Sequence, residues 1–273
     1  MKIVNFEYGD YTGWGMVDAG AVLPVPNARN AADVVALANS ATKEQGIGMD
    51  KVRWLAPVTP DAKILCAGFN YRSHVKEMAR DMPDHPSIFV RFPDSFVGHE
   101  QGVVRPRAST SFDYEAEIAV VIGKEAWRVD ASQALDHVLG YTCMAENSAR
   151  DFQRHNTQAT PGKNFERSGA IGPWIATADE FRDPNQMTII GRLNGDQVQR
   201  GSSADLICSV AGLVAYISSF TRLRPGDIIA TGTPEGVGMT RTPAVWLRGG
   251  DTFEVEIEGL GTLRNPVIEE EIR

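Results

Sequence analysis

The sequence predicts an α+β fold in which strands outnumber helices. Short runs rich in β-branched residues recur along all 273 residues, and glycine- or proline-containing turns separate them. The helical stretches do not alternate regularly with the strands. That disfavours a doubly wound sheet or a (β/α)8 barrel.

Residues 1–27 alternate polar and apolar positions between glycines and read as short antiparallel strands. Residues 30–47 start at a candidate cap, Asn30, and carry Val34, Val35, Leu37 and Ala38 on one helical stripe. Pro57 and Pro60 mark a joint. We therefore expect a small N-terminal β-rich domain over residues 1–58 and a larger domain over 59–273. In the larger domain ILCAGFN, SIFVRF (87–92), GVVRP and YEAEIAVVIG (114–123) read as strands, and YRSHVKEMARD as one or two helical turns. Residues 131–139 are predicted helical. Asn194-Gly195, between two strand-like runs, signals a hairpin. SADLICSVAGLVAYISSFTRL is the longest helical pattern. DIIATGTPEGVG is a strand running into a glycine-rich turn, and FEVEIEGLGTLRNPV is a closing hairpin.

Composition narrows the function. The net charge is −8, and no run of four basic residues occurs, which argues against a nucleic-acid partner. Cys66, Cys143 and Cys208 lie far apart in apolar stretches and read as buried thiols. The N-terminus lacks a basic-then-apolar leader, and no apolar run approaches the ~20 residues of a membrane helix. No membrane partner and a cytoplasmic location are expected.

The chemistry concentrates in five segments. In a strand, Glu115 and Glu117 share one face, followed by apolar residues. Two buried like charges repel unless something positive lies between them, and a hard divalent cation would serve. The same pattern also fits a half-exposed strand with two solvated glutamates. His74 and Glu77, three apart on a helical turn, can hydrogen-bond and activate water, or form an ordinary surface pair. Glu146 offers a third carboxylate, followed by an Arg150-Asp151 pair. Lys163 lies in a Pro-Gly-Lys-Asn-Phe turn. Thr231-Gly232-Thr233-Pro234-Glu235-Gly236-Val237-Gly238 offers backbone donors for a carboxylate, but lacks the Gly-Lys-Ser/Thr ending of a phosphate loop.

Taken in order, GFNYRSHVKEM, FDYEAEIAVVIGK, GYTCMAENSARDFQ, PGKNF, GPWIAT and PGDIIATGTPEGVG resemble the fumarylacetoacetate hydrolase family, in its branch of acylpyruvases and 2-hydroxyhepta-2,4-diene-1,7-dioate isomerases. The resemblance spans roughly residues 60–268. It implies a mixed β-roll catalytic domain, a homodimer, and a small-molecule 2-oxo acid substrate, often from aromatic catabolism. It implies Mg2+ or Mn2+ held by Glu115, Glu117 and Glu146, a water-activating dyad of His74 and Glu77, and Lys163 stabilising a developing oxyanion. Thr233 and Gly232 would meet the substrate carboxylate, and Arg72 would face the substrate from the lid segment. The activity expected is hydrolysis of a C–C bond in a 2,4-dioxo acid to pyruvate and a carboxylic acid. Tautomerisation, decarboxylation or hydration of a 2-oxo acid through a cation-stabilised enolate is the alternative. A non-catalytic metal-dependent binding protein is the reading from another class. The sequence departs from the family pattern in four places: Glu146 for Asp, Ala145 for Asn, Arg91 for Lys, and Asp113-Tyr114 for His-His.

Overall fold

A computed structural model of the chain describes residues 1–40, 46–181 and 183–271. Its centre is a twelve-stranded sheet; a five-stranded sheet and a two-stranded ribbon complete the strand framework. The strand-dominated α+β architecture expected from the sequence is present.

The strand Ala116–Ile122 forms the middle of the large sheet. All seven of its residues are buried, between the antiparallel neighbours Val138–Ala145 and Ile228–Ala230. Alternation divides it between two cores. Ala116, Ile118, Val120 and Ile122 join the larger cluster, while Ala119 and Val121 join the second. Glu117 therefore projects on the same side as Ala119 and Val121, and the odd-numbered face predicted for the glutamates is real.

Ile228–Ala230 runs parallel to Ile64–Gly68, with Ile228 opposite Ile64 and Ala230 opposite Cys66. Both chains leave the sheet at the same end. Asn70 ties the two exits together: its amide donates to the Thr231 carbonyl at 2.9 Å and to the Cys208 carbonyl at 3.0 Å. The candidate site grows from this end.

The N-terminal strands are continuous with the large sheet. Lys2–Tyr8 pairs antiparallel with Gly169–Thr177, Lys2 opposite Ala176. Asn30 caps the helix Ala31–Leu37 by accepting from the Asp33 N–H at 2.9 Å. Residues 41–45, inside the longer helix expected there, lie outside the described residues. The Asn194-Gly195 hairpin forms between Thr188–Leu193 and Asp196–Ser202, with both turn residues at positive φ.

Two elements differ from expectation. Residues 131–139 form only a single 3-10 turn, Ala134–His137, because Val138 is drawn into strand pairing with Ile122. The long helical pattern narrows to Val210–Phe220, which starts where Ser209 accepts from the Gly212 N–H at 3.2 Å. The residues before it bridge Asn70 and Tyr71 instead.

Candidate active site

Glu115, Glu117 and Glu146 converge. One oxygen from each lies within 4.8 Å of the others, and all three side chains are buried. Backbone pairing sets this up: the Glu146 N–H donates to the Glu115 carbonyl at 2.9 Å, just past the paired Ala116 and Ala145.

Three buried cations surround the cluster. Lys163, carried by the short helix Thr160–Lys163, sits 3.0 Å from Glu115 and contacts Glu146 more closely still. Arg150 contacts Glu115 at 2.5 Å and Asp113 at 2.9 Å. Arg91 donates to Glu146 at 3.1 Å, to Ser168 Oγ at 2.9 Å and to Ser95 Oγ at 3.2 Å. Arg91, Glu146 and Asp113 thus take up three of the four departures from the family pattern. Arg150 pairs with Asp113 rather than with its sequence neighbour Asp151, which accepts from Ser109 and Thr110 instead.

The electrostatics are uneven. Burial opposes ionisation of Glu115, but Arg150 and Lys163 beside it hold its carboxyl well below the usual range. Burial pushes Glu146 up to about 7, with Lys163 pulling down against it and the Glu115 charge adding to the rise. Glu117 is raised well above the ordinary carboxylate value by burial and by the charges of Glu146 and Glu115. Among the described residues it makes no ion pair, and its carboxylate accepts from the Gly232 N–H at 2.8 Å. Burial disfavours the Lys163 ammonium, yet the flanking carboxylates outweigh it and raise its pKa.

A buried all-carboxylate set in which Glu117 lacks a counter-charge fits a hard dication such as Mg2+ or Mn2+. Lys163 already spans two of the three carboxylates, so an ion and the ammonium would share Glu115 and Glu146.

The second half of the site is the helix Arg72–Glu77. His74 Nδ1 lies 2.9 Å from Glu77, as the spacing predicts. The other Glu77 oxygen accepts from the Gly236 N–H at 2.8 Å and from Thr240 Oγ1 at 2.7 Å. Burial raises the Glu77 pKa, but these hydrogen bonds, led by the one from His74, bring it below the ordinary value. His74 stacks on Phe69, ring centroids 5.9 Å apart.

The glycine-rich turn binds carboxylates, but they are the protein's own. Gly232, Gly236 and Gly238 donate to Glu117, Glu77 and Asp113. Gly232 adopts φ +97, and a Cβ there would meet the Ala67 carbonyl oxygen at 2.9 Å, so only glycine brings this N–H to Glu117. Thr233 Oγ1 donates to the Ala116 carbonyl and accepts from Gln199, both at 2.9 Å. Its hydroxyl is occupied within the protein. Arg72 turns away: its guanidinium donates to the carbonyls of Asp205 at 3.1 Å and Leu206 at 2.6 Å, and it does not line the cavity.

That cavity, of about 1010 Å³, lies beside the dyad and is lined by His74, Phe69, Phe89 and Arg150 among others. The carboxylates sit behind its wall. Arg150 reaches Glu115, and the Phe89 ring lies 5.0 Å from the Lys163 ammonium. Sequence reasoning missed Arg91, Arg150 and Asp113 as partners of the cluster. A lone charge within the apolar run SIFVRF was the available signal for Arg91.

The chain resembles proteins of known name along most of its length. It is 42% identical over 220 residues to a human protein named oxaloacetate tautomerase FAHD2A, mitochondrial, covering 80% of this chain and 70% of that one. The solved structure of a fumarylacetoacetate hydrolase from Exiguobacterium antarcticum superimposes with a TM-score of 0.87 at 33% identity, covering 99% and 100% of the two chains. A 2-hydroxyhepta-2,4-diene-1,7-dioate isomerase from Mycobacterium marinum gives 0.83 at 30%, covering 100% of each. Residues 63–268 match the family model described as Fumarylacetoacetate (FAA) hydrolase C-terminal, and the chain belongs to the fumarylacetoacetate hydrolase family of enzymes.

Proposed function

We propose that this enzyme interconverts the enol and keto forms of a small 2-oxo acid. The observation that carries the reading is His74 on the wall of the cavity, held 2.9 Å from Glu77, with Arg150 on the same wall contacting Glu115 of the carboxylate cluster, in a chain whose relatives include named oxaloacetate tautomerases. Tautomerisation needs one group that takes up a proton and returns one, and no water enters the products.

Glu115, Glu117 and Glu146 would hold the divalent cation. When bound, the cation supplies Lewis-acid polarisation of the 2-oxo group. Glu77 accepts from His74 Nδ1–H and leaves Nε2 as the base. The enol O–H bond breaks, a C–H bond forms at the adjacent carbon, and His74 ends in its starting state. Gly236 and Thr240 fix Glu77, so the imidazole is oriented before substrate arrives. Lys163 adds positive charge on the side where the oxyanion develops. Gly232 and Thr233 act indirectly, by fixing Glu117 and the strand at Ala116.

Hydrolysis of a 2,4-dioxo acid to pyruvate and a carboxylic acid is the second reading. The 33% identity to a fumarylacetoacetate hydrolase structure favours it: the same dyad would deprotonate a water. Adding the Mg2+-loaded protein to fresh enol oxaloacetate should speed the loss of enol absorbance over the spontaneous rate, with no pyruvate and no CO2 formed. If ketonisation is not accelerated and an acylpyruvate instead yields pyruvate plus free acid, the hydrolytic reading replaces the first.

A further inference from the structure

Gln199 is the sole buried residue of its strand, Asp196–Ser202, and only 1% exposed, although amide side chains usually stay in water. Its amide is fully engaged. Nε2 donates to Thr233 Oγ1 and to the Pro234 carbonyl, and Oε1 accepts from the Ala116 N–H, each at 2.9 Å. The hairpin that carries Gln199 is fitted to this approach. A Cβ at Gly201 would lie 2.5 Å from Pro234 Cβ, and one at Gly191, which pairs with Gln199, would lie 3.3 Å from the Gln199 Oε1.

Ala116 lies between Glu115 and Glu117. The Glu115 carbonyl faces the strand Val138–Ala145, where it accepts from the Glu146 N–H at 2.9 Å. The N–H and C=O of Ala116 therefore point to the other side of the strand. On that side the ladder with Ile228–Ala230 ends at Ala119, and the Thr231 N–H follows on the Ile118 carbonyl at 3.0 Å. One step further, side chains replace the ladder. Gln199 takes the Ala116 N–H, and Thr233 Oγ1, itself held by Gln199, donates to the Ala116 carbonyl at 2.9 Å. Both peptide groups that separate the two glutamates are thus held, one by Gln199 directly and one through Thr233. A buried amide is tolerated only when its hydrogen bonds are made, and a ligand set keeps its geometry only if the groups behind it are fixed.

We propose that Gln199 is a positioning residue for the cation site: its amide stands in for a strand at the peptides between Glu115 and Glu117, and so sets the spacing of their carboxylates. This rests on the reading that Glu115, Glu117 and Glu146 hold a dication, and not on the reaction run there.

The test reads Mn2+ affinity by calorimetry, with free ion counted by its EPR signal, at a temperature where circular dichroism shows each variant folded. Gln199→Met keeps the length of the side chain and removes all of its hydrogen bonds; Mn2+ should bind roughly 10–100-fold more weakly. Gln199→Glu keeps an oxygen for the Ala116 N–H in either protonation state and should recover most of the affinity. If Gln199→Met does not fold, Gln199→Asn takes its place, since its shorter side chain stops short of the Ala116 N–H. Asn265→Leu is the control. It loses a buried amide that donates to the Gly98 and Gln101 carbonyls at 2.8 Å each, so it should lose stability in urea and keep the wild-type Mn2+ affinity. Wild-type affinity in Gln199→Met, an equal loss in Gln199→Glu, or an equal loss in Asn265→Leu would overturn the proposal and leave the amide a brace of the fold. A wild type that binds no Mn2+ would overturn it together with the cation site. A protein that loses Mn2+ through Gln199→Met, yet as wild type fails to accelerate ketonisation, keeps this role for Gln199 and loses the tautomerase reading.

Discussion

The two ends of the site are built on opposite principles. At the carboxylate end, Asp113, Glu115, Glu117 and Glu146 are packed with Arg91, Arg150 and Lys163, all buried. Each of these groups except Glu117 makes an ion pair with another member of the set. At the cavity end, Arg80 and Arg154 are exposed and make no ion pair among the described residues, and His74 and Glu77 are locked to each other. Buried charges in close contact resist rearrangement, since separating any pair strands a charge in a low dielectric. Exposed arginines reorient at little cost. The buried end therefore fixes where charge is stabilised, and the exposed end stays free to reorient. The dyad, at the junction, is pre-oriented like the first, with His74 buried on the cavity wall and Glu77 half-buried behind it.

The largest effect should come from the junction. His74→Ala should lower kcat by roughly 10²–10⁴-fold on the true substrate, with cation affinity, read by calorimetry, unchanged. Near-normal turnover would remove the dyad from the chemistry. At the buried end, Arg91→Met removes a cation from Glu146 and leaves four buried oxygen acceptors, two on Ser95 and one each on Asn147 and Ser168, without its donors. A loss of about 3–5 kcal/mol in urea unfolding is expected. Arg91→Lys keeps the charge but not the fork, and should fall between wild type and Arg91→Met. If Arg91→Met were as stable as wild type, the buried network would be no more rigid than the exposed end, and the contrast would fail.

The sequence carried the two ends unequally. Glu115 and Glu117 were readable as a pair because strand alternation is a local rule. The His74–Glu77 spacing is local in the same way, and the structure places the two in hydrogen-bond contact. The partners of the carboxylates were not readable. Arg91 meets Glu146 across 55 positions of chain and Arg150 meets Asp113 across 37, and only strand pairing brings them together. The glycine-rich turn was legible as a set of carboxylate donors, but not that Glu117, Glu77 and Asp113 would take them. Arg72 was placed at the substrate by its position in the lid segment, while the carbonyls of Asp205 and Leu206 hold its guanidinium. The joint at Pro57 and Pro60 is present in the sequence, yet Lys2–Tyr8 extends the sheet of the larger region through Gly169–Thr177. Local composition cannot report such a long-range pairing.

The smallest effect separates the ends by pH. In the ion-free protein the Glu146 carboxyl is pushed up to about 7 by burial, and Glu117 is raised in the same direction. In the unfolded chain both return to about 4.3. Between these values the native state holds protons that the unfolded state has released, so stability falls as pH rises, by at most ~1.4 kcal/mol per pH unit for each proton. Glu115 and Glu77, with pKa values below the ordinary range, act oppositely and only in acid: their contribution is lost as pH drops below about 4.3. The ion-free protein should therefore be most stable near pH 4–5 as far as these groups decide it, and weaken toward pH 7. Mg2+ binds the ionised carboxylates, so its stabilisation grows with pH across the same window. Urea midpoints at pH 5, 6 and 7, in EDTA and in excess Mg2+, should diverge steadily. Arg80→Gln and Arg154→Gln should leave that divergence intact, because their guanidinium groups make no ion pair with any of the four carboxylates. An EDTA series that stays flat from pH 5 to 7 would mean that Lys163 and Arg91 keep Glu146 ionised throughout, and that the buried end is already balanced without a cation.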